Sequence, residues 1–423
     1  LGRPSVAERG DATVAAAAAL RNIPGVRFLS ALRRSNVHGG LDLGLAPGFL
    51  PGRVALDTGR AWFEAAWGAV PAERGLDTAG ILTAAAEGRL QALVLVGADP
   101  LSDFPDRDLA RRALAKVPFV VAVDAFPTPS TDAAHVFLPA ALAGEKRGTT
   151  TNLEGRLLRL ARKVTPPGTA MEDWRVAVEL SLRLGADFDL EAVDEVTDEI
   201  ARLAPAHQGA NAALLRRAVD GAVIPLGELE EPVLGGPAHA ISPTADNDPG
   251  IVGGPIESLM VSHGSASAYG TAPATGTTVT LAPPSRSGAH PGDGLEAPSV
   301  YQWDGVDPSG GGADGGGSAD GGRLRLWAGR KLYAPGVAVT HSAAVSALAA
   351  VPTIRLHPDE LNRLGLSAGG TARAASPRGS VTLVVASDTS VPPGVAWVPA
   401  GEAADLVDIA TAVTSVTVEP ANG

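Results

Sequence analysis

Between residues 78 and 140 the chain alternates two hydrophobic periods. Helical spacing over 79–87 gives way to a continuously apolar run over 92–96, then to a second helix over 106–116 and a second apolar run over 119–123. A short strand over 136–138 follows. Uninterrupted apolar strands separated by helices predict a parallel sheet covered on both faces. Upstream, residues 11–35 open with an alanine-rich amphipathic helix and pass into a short strand over 26–29, then into the turn-rich stretch Asn36-Val37-His38-Gly39-Gly40-Leu41-Asp42. Residues 44–74 mix Gly, Pro and aromatic residues without a clear period, which predicts irregular backbone. Beyond Arg156 the pattern is mostly helical, with a helix over 172–185 closing on Gly185 and acidic residues dominating 187–199.

The pattern changes twice more. Residues 235–323 are rich in Gly, Pro, Ser and Ala and too poor in large apolar side chains to pack, so they read as a flexible linker. From 324 onward, short strands at 324–327, 353–356, 372–375, 380–385 and 395–399 are separated by turn signals such as Pro377-Arg378-Gly379 and Pro392-Pro393-Gly394. That spacing predicts a small closed barrel. The expected organisation is an α/β domain over 1–234, a linker over 235–323 and a β-barrel over 324–423.

A chain of 423 residues with 45% hydrophobic content holds enough apolar mass for at least two cores. It contains no cysteine, which excludes disulfides, thiolate zinc sites and cysteine-ligated iron–sulfur clusters within these residues. A formal charge of -12 argues against a phosphate-backbone partner. No run approaches the roughly 18 residues of apolar sequence that a membrane-spanning helix needs. The chain begins with Leu1 and shows no basic, then apolar, leader pattern, so a further amino-terminal portion is expected.

Candidate chemistry concentrates at the carboxyl ends of the two apolar strands, where an open parallel sheet receives ligands. Gly97-Ala98-Asp99-Pro100 follows the first: Gly97 allows a tight turn, and Asp99 can accept hydrogen bonds from a base edge or ribose. The same four residues also read as a strand-to-helix turn with an acidic cap. Asp124-Ala125-Phe126-Pro127-Thr128 follows the second. Glu145-Lys146-Arg147-Gly148-Thr149 and Asn152-Leu153-Glu154-Gly155-Arg156 gather charges, hydroxyls and glycines into what reads as an irregular, ligand-facing loop. Arg156 is suited to a phosphate or to a structural pair with Glu154 or Glu145. The eight histidines fall into no metal-ligand spacing, and His38 reads best as an ordinary loop residue. No catalytic constellation and no metal site emerges, and no nucleophile elbow, Walker loop or Gly-x-Gly-x-x-Gly following a strand is present.

Taken in order, Gly97 to Pro100, Asp124 to Thr128, Ala134-His135-Val136-Phe137-Leu138-Pro139 and Glu145 to Arg156 resemble the molybdopterin-dependent oxidoreductase family. His135 stands where the pattern usually has aspartate. Arg330-Lys331-Leu332-Tyr333, His357-Pro358-Asp359-Glu360-Leu361, Ser376-Pro377-Arg378-Gly379 and Val391-Pro392-Pro393-Gly394-Val395 are similar to that family's dinucleotide-binding barrel. Leu29-Ser30-Ala31-Leu32-Arg33-Arg34-Ser35-Asn36-Val37-His38-Gly39 looks most like the branch formed by the large G-type subunits of NADH-quinone oxidoreductases. The resemblance implies a parallel-sheet domain followed by a double-psi barrel, with Gly97, Asp99, Asp124, Glu145, Gly148, Asn152, Pro358, Ser376 and Gly379 lining a dinucleotide region. It implies molybdopterin guanine dinucleotide and iron–sulfur clusters as family cofactors, none assigned to this chain, and other subunits of a respiratory peripheral arm on the cytoplasmic side of the inner membrane as partners. In that reading, electron transfer from NADH to quinone runs through clusters outside the chain, which serves mainly as scaffold. The alternatives are a catalytic subunit of formate dehydrogenase type and a nucleotide-binding scaffold.

Overall fold

In the computed structural model the described residues are 5–7, 10–29, 34–224, 279–280, 297–300, 322–330, 336–349, 351–409, 411 and 413–421. Nearly all of the 235–323 linker, and the segments Ser30 to Arg33 and Lys331 to Tyr333, lie outside them. The strands in chain order are β1 (Phe49–Leu50), β2 (Val54–Ala55), β3 (Ala92–Val96), β4 (Phe119–Asp124), β5 (Val136–Pro139), β6 (Gly148–Thr151), β7 (Arg156–Leu160), β8 (Ala222–Val223), β9 (Val279–Thr280), β10 (Leu324–Gly329), β11 (Thr353–Leu356), β12 (Thr371–Ala375), β13 (Ser380–Ser387), β14 (Val395–Pro399) and β15 (Ser415–Pro420).

Two compact units form, and they do not follow the linear division expected from sequence: one comprises Leu1–Arg27, Thr78–Ala140 and Asp304–Gly423, the other Phe28–Asp77 and Ala141–Trp303. In the first unit, β3, β4 and β5 make a parallel sheet in that order, with Leu93 opposite Val120 and Leu95 opposite Ala122. These inward residues pack on Leu82 and Ala85 of the helix Thr78–Ala86 and on Leu109, Ala110, Ala113 and Leu114 of the helix Arg107–Lys116. That helix starts where Asp106 accepts a hydrogen bond from the Leu109 N–H at 2.9 Å, an N-cap that satisfies one of the orphan donors of a first turn. Among the described residues the expected cover on both faces is not found. Val94, Val96 and Phe119 on the opposite face are 57%, 58% and 45% exposed, because apolar side chains alternate across a strand and only one side meets the two helices.

The barrel of the same unit closes in the order β10-β14-β11-β13-β12-β15, with β15 pairing back onto β10. β10 with β14 and β11 with β13 run parallel, while the remaining neighbours run antiparallel. Leu324, Leu326, Ile354, Leu356, Val385, Val398 and Val416 fill its interior, each 2% exposed or less. Ile409 packs against both the barrel core and the sheet core.

The second unit corrects two expectations. Residues 44–74 are not irregular: β1 and β2 form a hairpin and lead into the helix Leu56–Trp67, which buries Leu56, Trp62 and Phe63. The chain after Arg156 does not turn helical at once, since β7 pairs antiparallel with β6 over Gly148↔Leu160 to Thr151↔Leu157. The stretch expected as a strand over 26–29 is coil.

Candidate functional site

At the carboxyl edge of the first unit's sheet, the loops after β3 and β4 are joined directly. Ser130 Oγ donates to Asp99 Oδ1 at 2.5 Å and accepts the Leu101 N–H at 3.1 Å, with Ser130 fully buried and Asp99 8% exposed. Asp99 thus holds the neighbouring loop, and Ser130, which sequence reasoning passed over, is the residue that ties it. Thr128 and Thr131 make a reciprocal capping pair that starts the turn Pro129–Asp132 and sets Ser130 in place. Gly97 is required by its φ of +57° rather than by close approach, since a Cβ there would meet nothing within 4 Å. Asp124 Oδ1 accepts the Ala125 N–H at 2.7 Å and the Phe126 N–H at 3.3 Å, and Oδ2 takes no hydrogen bond from the described residues. Phe126 beside it stacks on His341, with centroids 4.7 Å apart and planes at 27°. His135 is engaged structurally: its Nδ1 accepts the Val120 N–H at 3.0 Å, joining the start of β4 to the residue before β5.

The barrel positions follow the same logic. Pro358 is the first residue of the helix Pro358–Leu364, capped by His357 Nδ1, which accepts the Asp359 N–H at 3.2 Å. Ser376 Oγ donates to Leu406 O at 2.7 Å and accepts the Arg378 N–H at 3.1 Å. Gly379 has no room for a side chain, because a Cβ would stand 2.7 Å from Asp405 O. This turn therefore docks onto the chain's own 403–408 segment. Arg378 extends the contact, pairing with Asp408 at 2.8 Å and Asp106 at 3.5 Å; the bond to Asp408 raises its guanidinium pKa further. Arg107 donates to Asp405 and to Gly401 O, and Arg111 reaches Asp405 at 3.2 Å. A network of three arginines and three aspartates thus fastens the barrel to the sheet's second helix. It was invisible in the sequence apart from Arg378.

Glu145, Gly148 and Asn152 lie in the second unit, so the nine expected positions divide six and three between the units. Asn152 Oδ1 accepts the Glu154 and Arg156 N–H groups at 2.9 and 3.0 Å, making it the turn residue of the β6–β7 hairpin. Arg156 bonds Glu154 and Asp220 O, the structural one of its two readings. Glu145 Oε2 accepts the Leu142 N–H, and Lys146 pairs with Asp173. Gly148 borders a cavity of about 10 Å³, space for one water and far too small for a dinucleotide. The segment expected as an irregular loop is a hairpin in which Asn152 Oδ1 and Glu145 Oε2 accept from local backbone N–H groups. Asn36, in the left-handed region at φ 59°, accepts the Thr151 N–H at 2.9 Å and anchors the preceding segment to this hairpin.

The second unit also buries a charge cluster that the sequence did not signal. Asp42, 3% exposed, takes Arg53 Nε and Nη2. His207 is 1% exposed, neither ring nitrogen has a hydrogen-bond partner among the described residues, and burial lowers its pKa to about 4 against a smaller upward pull from Asp42.

These positions fit the nucleotide end of the family cofactor only at the first unit's edge, where Asp124 Oδ2 and the Phe126 ring are the groups that would receive a base. No group of His, Asp or Glu among the described residues is arranged to hold a metal, and no described helix is long and apolar enough to cross a membrane.

Residues 14–183 match the family model described as Molybdopterin oxidoreductase, and residues 324–423 match that of the Molydopterin dinucleotide binding domain. Among curated proteins, the chain is 39% identical over 175 residues to the NADPH-Fe(3+) oxidoreductase subunit alpha of Geobacter sulfurreducens, covering 41% of this chain and 20% of that protein. It is 35% identical over 189 residues to the NADH-quinone oxidoreductase G 2 subunit of Rhizobium meliloti (44% and 22%), and 35% over 185 residues to the putative formate dehydrogenase YrhE of Bacillus subtilis (43% and 19%). The matched stretches span about a fifth of these relatives. In fold, the chain is similar to acetylene hydratase from Pelobacter acetylenicus, with a TM-score of 0.54 at 16% identity over 87% of this chain and 51% of that one.

Proposed function

The chain belongs to the molybdopterin oxidoreductase family, and from that premise we propose that it is the scaffold portion of a G-type subunit of an NADH-quinone oxidoreductase. The observation that carries the scaffold role is the inward use of polar atoms. Asp99 holds Ser130, Asn152 holds its own hairpin, and Ser376 holds Leu406 and Arg378. A site that stabilises a charged dinucleotide keeps such groups free for the ligand, because hydrogen bonds aimed at the protein's own backbone add no affinity. The complete absence of cysteine supports the same reading, with electrons carried from NADH toward quinone by iron–sulfur clusters outside these residues. The partners in this proposal are the other subunits of a peripheral arm on the cytoplasmic side of the membrane.

A second reading, a catalytic subunit of formate dehydrogenase type, is favoured by one observation: the putative formate dehydrogenase YrhE is as similar to this chain as the Rhizobium meliloti G 2 subunit is, at 35% identity. Removing the coding sequence for the barrel in the source organism separates the two. Loss of NADH-dependent quinone reduction by membranes, with formate-dependent dye reduction intact, is the outcome expected here. The reverse pattern would refute it.

A further inference from the structure

Phe126 lies two residues past the last residue of β4, at the edge of the sheet where the family reading puts a planar base. Its backbone is fixed by Asp124 Oδ1, and one face of its ring is taken by His341, 4.7 Å away between centroids and tilted by only 27°. An offset stack at this spacing is the arrangement that heteroaromatic rings of nucleotides adopt on protein aromatics. His341 is itself held by its Nδ1, 2.8 Å from Val337 O at the end of the short helix Val337–Thr340, while the residue as a whole is solvent-exposed. A second contact, Arg330 to Asp103 at 3.6 Å, brings the start of the β10–β11 connection to the neighbouring loop after β3.

We propose that this edge is self-occupied: His341 stands on Phe126 in the place of a purine base and must leave before one can stack there. The inference rests on the family reading of the crevice and adds its regulation. It accounts for a retained aromatic platform, with Asp124 Oδ2 still open beside it, in a chain whose other expected ligand positions are turned inward. Because the histidine is exposed and, among the described residues, hydrogen-bonded only to the helix it follows, its removal leaves both cores untouched.

The test uses the full chain, GDP as probe and the variants His341→Ala and Phe126→Leu. Titration calorimetry is expected to show GDP binding to His341→Ala about three- to tenfold more tightly than to the unaltered chain, the range that removal of one aromatic stack supplies. Adding Phe126→Leu to His341→Ala should abolish that gain. In proton spectra of the unaltered chain, the His341 ring signals, assigned by their disappearance in His341→Ala, should lie upfield and move to free-histidine positions only as GDP saturates. Equal affinity in the unaltered and His341→Ala chains, or no binding by either, would overturn the self-occupancy. The scaffold reading fails separately, by micromolar GDP binding to the unaltered chain, which leaves the order of the two affinities, and so the inference, standing.

Discussion

Replacing His207 by leucine should remove a pH dependence from the stability of the second unit. In the folded chain burial holds the imidazole neutral down to about pH 4, whereas in the unfolded chain it takes up a proton near its ordinary value of 6.5. The folded pKa is depressed, so the unfolded state binds the extra proton and is favoured as pH falls. Stability is therefore full above pH 6.5 and declines by about 1.4 kcal/mol per pH unit below it. The decline levels off below pH 4 after a total of about 3 kcal/mol, the free energy of a shift of about 2.5 pH units. Asp42 and Arg53 are the charged groups near the ring, and their own ion pair leaves the histidine no hydrogen bond. Leucine fills the site without a titrating group, so its slope between pH 6.5 and 4 should be shallower by that one-proton increment. Hydrogen exchange of peptides covering residues 200–210, read by mass spectrometry at several urea concentrations, isolates this unit from the rest of a chain with two units. Identical slopes in the two proteins would refute a neutral buried histidine.

Ser130→Ala leaves the Leu101 N–H and one Asp99 oxygen without their partner in a nearly dry site, and should lower stability by about 1–3 kcal/mol in thermal unfolding. Asp405→Ala strips Arg107 and Arg111 of a shared partner; a loss of about 1–2 kcal/mol is expected, with faster exchange in the helix Arg107–Lys116, whereas Asp57→Ala, at an exposed helix position, should change little. Gly379→Ala places a Cβ 2.7 Å from Asp405 O, and because backbone must move to admit it, melting should drop by several degrees; an unchanged melting point would contradict the docked turn.

What was legible in the sequence was legible for a physical reason. β3, β4 and β5 and five of the six barrel strands lie within a residue or two of their expected positions, because apolar runs bounded by Gly and Pro leave few other solutions. β15 escaped notice although Ser415 to Pro420 alternates buried and exposed positions as a strand at a barrel wall should. The helix Leu56–Trp67 was obscured by Gly59, which reads as a breaker yet is required: a Cβ there would stand 2.4 Å from a Val54 methyl group. The β6–β7 hairpin was hidden because Asn152, Glu154 and Arg156 carry the residue types of irregular loops and of tight turns alike, and only coordinates show that Asn152 Oδ1 points at its own turn. Arg107 and Asp405 meet across 298 positions, a pairing that no local pattern signals. The loops after β3 and β4 were legible as strand-end turns, but the direction of their polar atoms was not, since Asp99 turns to Ser130 and Asp124 Oδ1 to its own turn.

The most direct test of the scaffold reading is the metal and pterin content of the full chain purified from a host that synthesises molybdopterin guanine dinucleotide. Plasma mass spectrometry for molybdenum, tungsten and iron, with fluorescence of oxidised pterin from the denatured protein, should find each at well below a tenth of an equivalent per chain. Close to one molybdenum or tungsten per chain, together with stoichiometric pterin, would contradict the account and move the chain among the family's catalytic members.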